Sequence, residues 1–355
     1  MPTETDYQPA VDRLRAWWAG QDLGRPAMHL TAPRDHPRVP WPAPPESVEQ
    51  RWLNLDYRLA CHEAEIANTA YFAEAVPEAW PYLGPVAMAG YFGAPGVCRP
   101  DTIWREAIID DWATAEVRWD PDNYWWRLMV EYTERLVEQA RDRYMVANGS
   151  GGASTAVLAA LRGTERLCLD LTGDRAPLER ARDYVTAACQ EQCRRLHAVT
   201  SRYWPGDNLG WLPLWTPGTT CALQVDFCCL LSPQMFRDFC LPEMRDFCRF
   251  FAYPAYHLDG PGELRHLDAL LEIPELRMIQ WEPGAGQPDP LHPTWRPLLR
   301  RIVEAGKLAY LRCRPEEVAP FLEDFPYQRV FLQCGARSET EAERLVREVG
   351  ERGGG

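Results

Sequence analysis

The sequence has the size and composition of an ordinary globular protein. Its 355 residues suffice for one large domain or two average ones, and 46% apolar with 25% charged residues is typical of a globular chain. A formal net charge of -13 argues against nucleic acid or an anionic membrane surface as the main partner. No apolar run is long enough to span a bilayer and the acidic N-terminus does not resemble a signal peptide, so we expect a cytoplasmic protein with reduced cysteines.

The first 80 residues are predicted to be mostly helical. Helical patterns cover residues 8–20 and 46–72, around one short strand at residues 26–31. No long linker follows them. Residues 1–80 are therefore expected to be an extension packed on a barrel formed by residues 81–355.

From about residue 143 onward, short apolar runs alternate with amphipathic helical patterns, as in repeated βα units. Strands are predicted at residues 85–91, 143–148, 208–215, 256–259, 278–281, 308–313 and 329–334, and residues 222–227 are predicted to continue into a helix. The second of these runs into a Gly-Ser-Gly-Gly loop at residues 149–152, and the last four each lead to a helix. The count approaches that of a (β/α)8 TIM barrel, and an α/β fold of this type is predicted.

A helix is predicted to open at Ser232 and Pro233, where serine supplies an N-cap and proline suits the first helical position. Pro242 is expected to kink it. Cys240 and Cys248 follow the same apolar spacing as the phenylalanines of this helix. They are predicted to be buried and unreactive.

His257 and Asp259 form the most informative pair in the chain. Residues two apart in a strand point the same way, so both side chains can converge on one point while Leu258 packs behind them. Cys334 ends the last predicted strand, and the active site of a barrel lies at the strand ends. Imidazole, carboxylate and thiolate together suit Zn²⁺. The alternative is a hydrogen-bonded buried histidine, a helix-capping aspartate and an inert core cysteine.

Further candidate site residues lie at or near the predicted strand ends. Asp226 and Glu282 are candidate proton-transfer groups, although Asp226 could instead cap the turn before the helix at Ser232. Four more residues are expected to shape a substrate pocket: Trp215, Tyr256, Gln280 and Trp281.

The chain resembles the uroporphyrinogen decarboxylase superfamily, a group of (β/α)8 barrels that includes cobalamin-linked methyltransferases. The resemblance is most specific over residues 220–349 and weaker from about residue 80. The matching residues are Gln224-Val225-Asp226-Phe227, the run from Leu231 to Phe239 with Leu241-Pro242, His257-Leu258-Asp259-Gly260 and Cys334-Gly335.

The methyltransferase branch of that superfamily has a zinc-binding His-x-Cys on one strand and a further zinc-binding Cys on the last strand. His257 and Cys334 match the first and last of these ligands, while Asp259 stands where the middle one would be Cys. A carboxylate leaves the metal more Lewis acidic than a thiolate does, so activation of a hydroxyl becomes as plausible as activation of a thiol. The decarboxylase branch matches less well, because only Arg34 remains of its arginine-rich N-terminal motif.

The resemblance implies a zinc-dependent methyltransferase that activates a small thiol or hydroxyl substrate. The chain has no Asp-x-His-x-x-Gly corrinoid motif, so methylcobalamin would be carried by a separate partner protein. A homodimer is a further assembly to consider. Two alternatives stay open: a decarboxylase or lyase that uses Asp226 and Asp259, and a non-catalytic barrel that binds a sugar or an aromatic metabolite.

Overall fold

The fold is built around one seven-stranded, mainly parallel β-sheet, seen in a computed structural model that describes residues 4–149 and 152–353. Its strands and those of the smaller sheets are β1 (Ala27–Pro33), β2 (Thr69–Ala73), β3 (Glu78–Ala79), β4 (Gly96–Cys98), β5 (Ile103–Arg105), β6 (Met145–Val146), β7 (Asp207–Asn208), β8 (Trp215–Thr216), β9 (Thr220–Leu223), β10 (Tyr253–Asp259), β11 (Met278–Glu282), β12 (Leu308–Cys313) and β13 (Val330–Gly335). Ser150 and Gly151 of the predicted glycine-rich loop lie outside the described residues.

Helices precede, separate and follow these strands. They are α1 (Glu4–Trp18), α2 (Val48–Leu53), α3 (Leu55–Asn68), α4 (Ala87–Tyr91), α5 (Tyr124–Ala140), α6 (Ser154–Arg162), α7 (Thr164–Asp170), α8 (Ala176–Thr200), α9 (Pro233–Met235), α10 (Leu241–Phe250), α11 (Leu267–Leu271), α12 (Arg296–Glu304), α13 (Pro315–Asp324) and α14 (Glu339–Gly353). Short 3₁₀ turns occupy Asp226–Leu230, Pro261–His266 and Pro293–Trp295. A π-helical segment, Phe236–Cys240, joins α9 to α10 just before Pro242. None of the helices in the described part of the chain is long and apolar enough to cross a membrane.

The main sheet has the strand order β2-β1-β13-β12-β11-β10-β9. Its neighbours are parallel except β1 and β2, so the first and last parallel strands of the chain lie side by side. A second parallel pair, β3 with β6, lies outside this sheet, and β4–β5 and β7–β8 are antiparallel pairs. The fold is therefore mixed α/β with a large parallel sheet.

The two faces of the main sheet belong to two different apolar clusters, because side chains alternate along each strand. Ala255, Met278, Tyr310 and Phe331 lie in the smaller cluster, on what we call the inner face. The neighbouring positions, such as Leu332, lie in the larger cluster with residues of the surrounding helices, on the outer face. Whether a residue can reach a site on the inner face thus depends on its position in the alternation.

Several predicted elements are present in the structure. β12 spans residues 308–313 as predicted, and β10, β11 and β13 differ from prediction by only a few residues at their ends. Ser232 caps α9 by accepting from the Met235 backbone at 3.2 Å. Cys240 and Cys248 are both buried and free, as predicted.

Two predicted strands are wrong. Residues 87–91 form helix α4, because a short buried apolar run fits a buried helix turn as well as a strand. The strand in this part of the chain is β3, which precedes α4. Residues 208–215 do not form one strand: Asn208 pairs with Trp215 across an antiparallel hairpin whose loop includes Gly210 at a φ of 75°.

The predicted N-terminal extension contributes to the main sheet. Within the first 80 residues, both β1 and β2 are strands of that sheet, and α1 contacts β8. Glu74 links these segments, since its buried carboxylate accepts from the side chains of Arg13 and Arg25 and from the Met28 backbone. The boundary at residue 80 remains a prediction.

Candidate functional site

Asp226, His257 and Asp259 converge at the carboxyl ends of β9 and β10; we call these three residues the donor group. One ligand atom from each lies within 4.8 Å of the others. His257 Nε2 is 4.0 Å from Asp259 Oδ2. Two carboxylates and one imidazole form a donor set suited to a divalent cation.

Strand pairing explains this convergence. β9 and β10 are parallel, with Leu223 opposite Tyr256, so the turn that begins at Asp226 follows β9 beside the end of β10. His257 and Asp259 share the inner face with Ala255, two residues apart in each step. The sequence prediction that His257 and Asp259 meet is consistent with this geometry, and Asp226, predicted as a proton-transfer group, joins them.

Gln280 orients His257 from the neighbouring strand. It is the register partner of His257 on β11, it is fully buried, and its Oε1 lies 2.5 Å from His257 Nδ1. With the amide oxygen as acceptor, Nδ1 carries the proton and the lone pair of Nε2 points toward the carboxylates. Such a second contact on a metal-binding histidine fixes its tautomer and ring orientation. Gln280 was predicted to bind substrate, whereas in the structure it supports His257.

Asp226 has a carboxyl pKa above its ordinary value. Its side chain is reached by solvent at the mouth of the site, yet surrounding protein displaces enough water to raise the pKa of its carboxyl. His257 opposes this shift, and the nearby Asp259 carboxylate adds to it. Two like charges this close disfavour simultaneous ionisation, and a cation between them would relieve that cost.

Cys334 is not part of the donor group. On β13 it follows Gln333, and it lies with Leu332 in the outer apolar cluster. It is 2% exposed and is the register partner of Cys313, which also packs against that cluster. The structure therefore brings Cys334 to the correct end of the sheet but turns its side chain toward the helices, and it does not bring Cys334 together with His257.

Two other predicted pocket residues also lie on the outer face. Tyr256 is fully buried and donates its hydroxyl to Glu263 at 3.1 Å. Trp281 packs edge to face against Trp295 with ring centroids 4.9 Å apart. Each directly neighbours an inner-face residue, and adjacent residues of a strand point in opposite directions.

Trp215 and Glu282 lie in different surroundings. Trp215 is buried beside α1, where its carbonyl accepts from Trp18 Nε1 at 2.9 Å. Glu282 is the register partner of Asp259, and its Oε2 lies 3.8 Å from Arg312 Nη1. Glu282 is thus near the donor group without belonging to it.

Trp211, which the sequence analysis did not select, forms the wall between the donor group and the neighbouring cavities. Its ring meets that of His257 edge to face, with centroids 4.7 Å apart and an interplanar angle of 88°. It lines two adjoining cavities of about 270 and about 500 Å³, while Asp226 lines a third of about 400 Å³ that shares Gln224 with the smallest. The Gly-Trp-Leu-Pro sequence at residues 210–213, which is typical of a tight turn, was the available signal for this loop.

Comparison with solved structures gives the chain a methyltransferase-like α/β fold. No known protein family and no curated protein matches the sequence. The structure is similar to a methyltransferase from Methanosarcina mazei, with a TM-score of 0.61 over 96% of this chain and 97% of that chain. The two sequences are 14% identical, so the likeness concerns the fold alone.

Proposed function

We propose that this chain is a metal-dependent methyltransferase that activates a small thiol or hydroxyl substrate. The observation that carries the proposal is the convergence of Asp226, His257 and Asp259 at the strand ends of a chain with a methyltransferase-like fold. Clefts at the carboxyl ends of parallel strands are where α/β enzymes bind their substrates.

The donor group fits a divalent cation, and we propose Zn²⁺. The fit rests on two carboxylates that face one imidazole nitrogen, and on Gln280, which holds the other nitrogen of that ring. The sequence-based ligand set of His257, Asp259 and Cys334 differs from this group in one residue. We propose Asp226 as the third ligand, because the side chain of Cys334 lies in the outer cluster.

The residues around the donor group would have separate tasks. A bound cation would supply Lewis acidity that lowers the pKa of a substrate thiol or hydroxyl. Gln280 keeps the His257 ring in place, and Trp211 covers one edge of that ring. Glu282, held near Arg312 on the inner face, would accept the proton that the substrate loses.

The methyl donor is proposed to be methylcobalamin on a separate corrinoid protein. The chain itself has no corrinoid-binding motif. The three adjoining cavities beside the donor group leave room for a substrate and for the approach of a donor.

Metal analysis followed by a methyl-transfer assay tests this proposal. Protein purified without chelators is expected to contain or take up one Zn²⁺. When a small thiol or alcohol is added, it is expected to consume methylcobalamin, which is measured as a decrease of the methylcobalamin absorbance. His257→Ala should lose both properties. His36→Ala, which changes an exposed histidine, is the matched control. A wild-type protein that neither contains nor takes up a divalent metal would overturn the proposal.

A second candidate, decarboxylation or another lyase reaction, is favoured by one observation. Asp226 and Asp259 lie close together and the pKa of Asp226 is raised by desolvation, as in acid–base carboxyl pairs. This reaction would not require metal. Turnover of a carboxylic acid substrate by metal-free protein would therefore support the lyase in place of the methyltransferase.

We also propose that the parallel strands close into an eight-stranded barrel of the uroporphyrinogen decarboxylase type. Six parallel strands of the main sheet and the parallel pair β3–β6 give the required number. What supports closure is a hydrogen bond from the Gly152 nitrogen, beyond β6, to the Ala222 oxygen in β9 at 3.2 Å. A crystal structure would test whether β3 also meets β1 or β2.

A further inference from the structure

The cavity of about 500 Å³ beside the donor group is lined mainly by aromatic and polar side chains. We call it the aromatic cavity, because Trp52, Trp80, Tyr82 and Trp211 line it. Its volume lies in the range of small-molecule sites. Trp211 connects it with His257, since the same ring lines the cavity and contacts the imidazole.

His29 is a buried polar group with no hydrogen-bond partner among the described residues. It lines the aromatic cavity from β1, it is 8% exposed, and neither of its ring nitrogens is paired. Burial lowers the pKa of His29 to about 4, so at neutral pH the ring offers one donor and one acceptor. A buried polar group left unpaired is costly, and a ligand with a polar substituent would satisfy it.

Arg58 supplies the positive charge of the cavity wall. Its guanidinium carbon lies 5.1 Å from the centroid of the Trp52 ring, and its Nε donates to Tyr132 at 3.1 Å. His62 also lines the cavity, but burial lowers its pKa to about 3 and leaves it neutral. Desolvation raises the pKa values of the two acidic residues there, Glu65 and Glu78, while Asn208 donates a hydrogen bond to Glu78. Arg58 is the one guanidinium among the described residues that line the cavity, so it is where an anionic group of a ligand would bind.

The aromatic side chains pack against one another and form one continuous aromatic wall of the cavity. The rings of Trp80 and Tyr82 have centroids 4.6 Å apart, and Trp52 lies 5.9 Å from Tyr82. On the Trp211 side, a side chain at Gly210 would come within 3.1 Å of Trp80 Nε1, so the glycine keeps the loop close to that ring. A flat ligand ring that lies against this wall would make offset or edge contacts with it.

We propose that the aromatic cavity binds a planar aromatic carboxylate, with its ring among the aromatic side chains, its carboxylate on Arg58 and a polar ring substituent on His29. This inference goes beyond the proposed function, because binding to the cavity can be measured without metal or methyl donor. Two ring substituents at opposite ends would account for two polar groups on different elements, β1 and α3.

Calorimetric titration of the metal-free, full-length protein with 4-hydroxybenzoate tests the inference. We expect it to bind about tenfold or more tightly than cyclohexanecarboxylate, which lacks the flat ring, and than phenol, which lacks the acid, since each lost contact costs about 1.4 kcal/mol. Equal binding of all three, or no binding of 4-hydroxybenzoate, would overturn the inference.

Substitutions test whether 4-hydroxybenzoate binds in the aromatic cavity. Trp211→Leu and Arg58→Gln should each weaken binding of 4-hydroxybenzoate about tenfold or more, whereas Trp41→Leu and Arg166→Gln, both at exposed positions, should leave it unchanged. Circular dichroism would establish that each variant is folded, and the two test variants lie on different elements, so one can stand if the other is unstable. Unchanged binding in a folded test variant would contradict the assignment to this cavity.

The outcome is separable from that of the proposed function. Zinc uptake without aromatic binding would leave the methyltransferase proposal in place and refute the ligand class. Aromatic binding by a protein that takes up no metal would keep the cavity assignment and refute the metal-dependent reaction.

Discussion

Gln280→Leu provides a sharp test of the donor group, because it changes a residue that would not touch the metal. Gln280 is fully buried and holds His257 Nδ1 at 2.5 Å. Leucine has a similar size but cannot accept that hydrogen bond. The variant leaves all three donors in place and removes only the contact that fixes the tautomer of His257.

The expected effect is a loss of Zn²⁺ affinity. Removing an outer hydrogen-bond partner of a metal-binding histidine typically costs about 10–100-fold. This corresponds to roughly 1.4–2.7 kcal/mol. His257 is 9% exposed, so water has little access to replace the lost acceptor, and we expect the upper part of this range.

Folding stability should change much less than metal affinity. The variant leaves His257 Nδ1 unpaired, but it also removes Gln280 Nε2, which is buried without a partner among the described residues. An unpaired buried polar group costs roughly 1–3 kcal/mol, so the two effects largely offset each other.

Competition for Zn²⁺ between the protein and a chelating dye would measure the affinity, with denaturant unfolding of the metal-free protein as the stability control. Gln333→Leu is the matched variant, because Gln333 also lies on the inner face but bonds to Tyr310 at 2.8 Å. Wild-type affinity in Gln280→Leu, or an equal loss in Gln333→Leu, would refute the role assigned to Gln280.

Three further predictions follow from individual contacts. Cys334→Ala should leave the metal content unchanged, whereas Asp226→Ala should lower it. The sequence-based ligand set predicts a loss of metal in Cys334→Ala, so elemental analysis of the two purified variants decides between the two sets. Burial raises the pKa of Glu243 from 4.5 to about 8, so between these pH values the native state binds more protons than the unfolded state and the free energy of unfolding falls as pH rises. Glu243→Gln should reduce this dependence of the unfolding free energy on pH, measured by urea unfolding at several pH values, and an unchanged dependence would contradict the assignment. Glu74→Ala leaves the largely buried Arg25 without its carboxylate partner and should cost about 3–5 kcal/mol of unfolding free energy, whereas a loss below 1 kcal/mol would show that the ion pair is dispensable.

The C-terminal βα units could be predicted because local signals and tertiary structure agree there. The strands β10 to β13 are apolar runs bounded by glycine, proline and helix caps, and each is buried in the sheet. The segment at residues 87–91 has no such agreement. Its Ala-Met-Ala-Gly-Tyr sequence is apolar throughout, so it carries no periodicity that separates a strand from a helix.

The site was only partly predictable, because the position of a residue at a strand end does not by itself say on which face of the sheet its side chain lies. His257 and Asp259 were paired by their spacing of two residues, and the structure brings them together. Tyr256 and Trp281 were assigned to the same pocket as His257 and Gln280, although alternation puts direct neighbours on opposite faces. The contact of Trp211 with His257 could not be predicted, because it depends on a hairpin at residues that were predicted to form one strand.

The residue that separates the aromatic cavity from the donor group, Trp211, is carried by the β7–β8 hairpin and not by a strand of the main sheet. Neither β7 nor β8 pairs with the main sheet in the described residues, but Leu209, Leu212 and Leu214 are buried in the inner apolar cluster, whereas Trp211 is only half-buried. Position 211 is therefore the part of the hairpin that can change without disturbing that cluster. A relative could thus acquire a differently shaped ligand chamber while the donor group stays in place. Substitution at position 211 is a direct route to redesigning ligand preference.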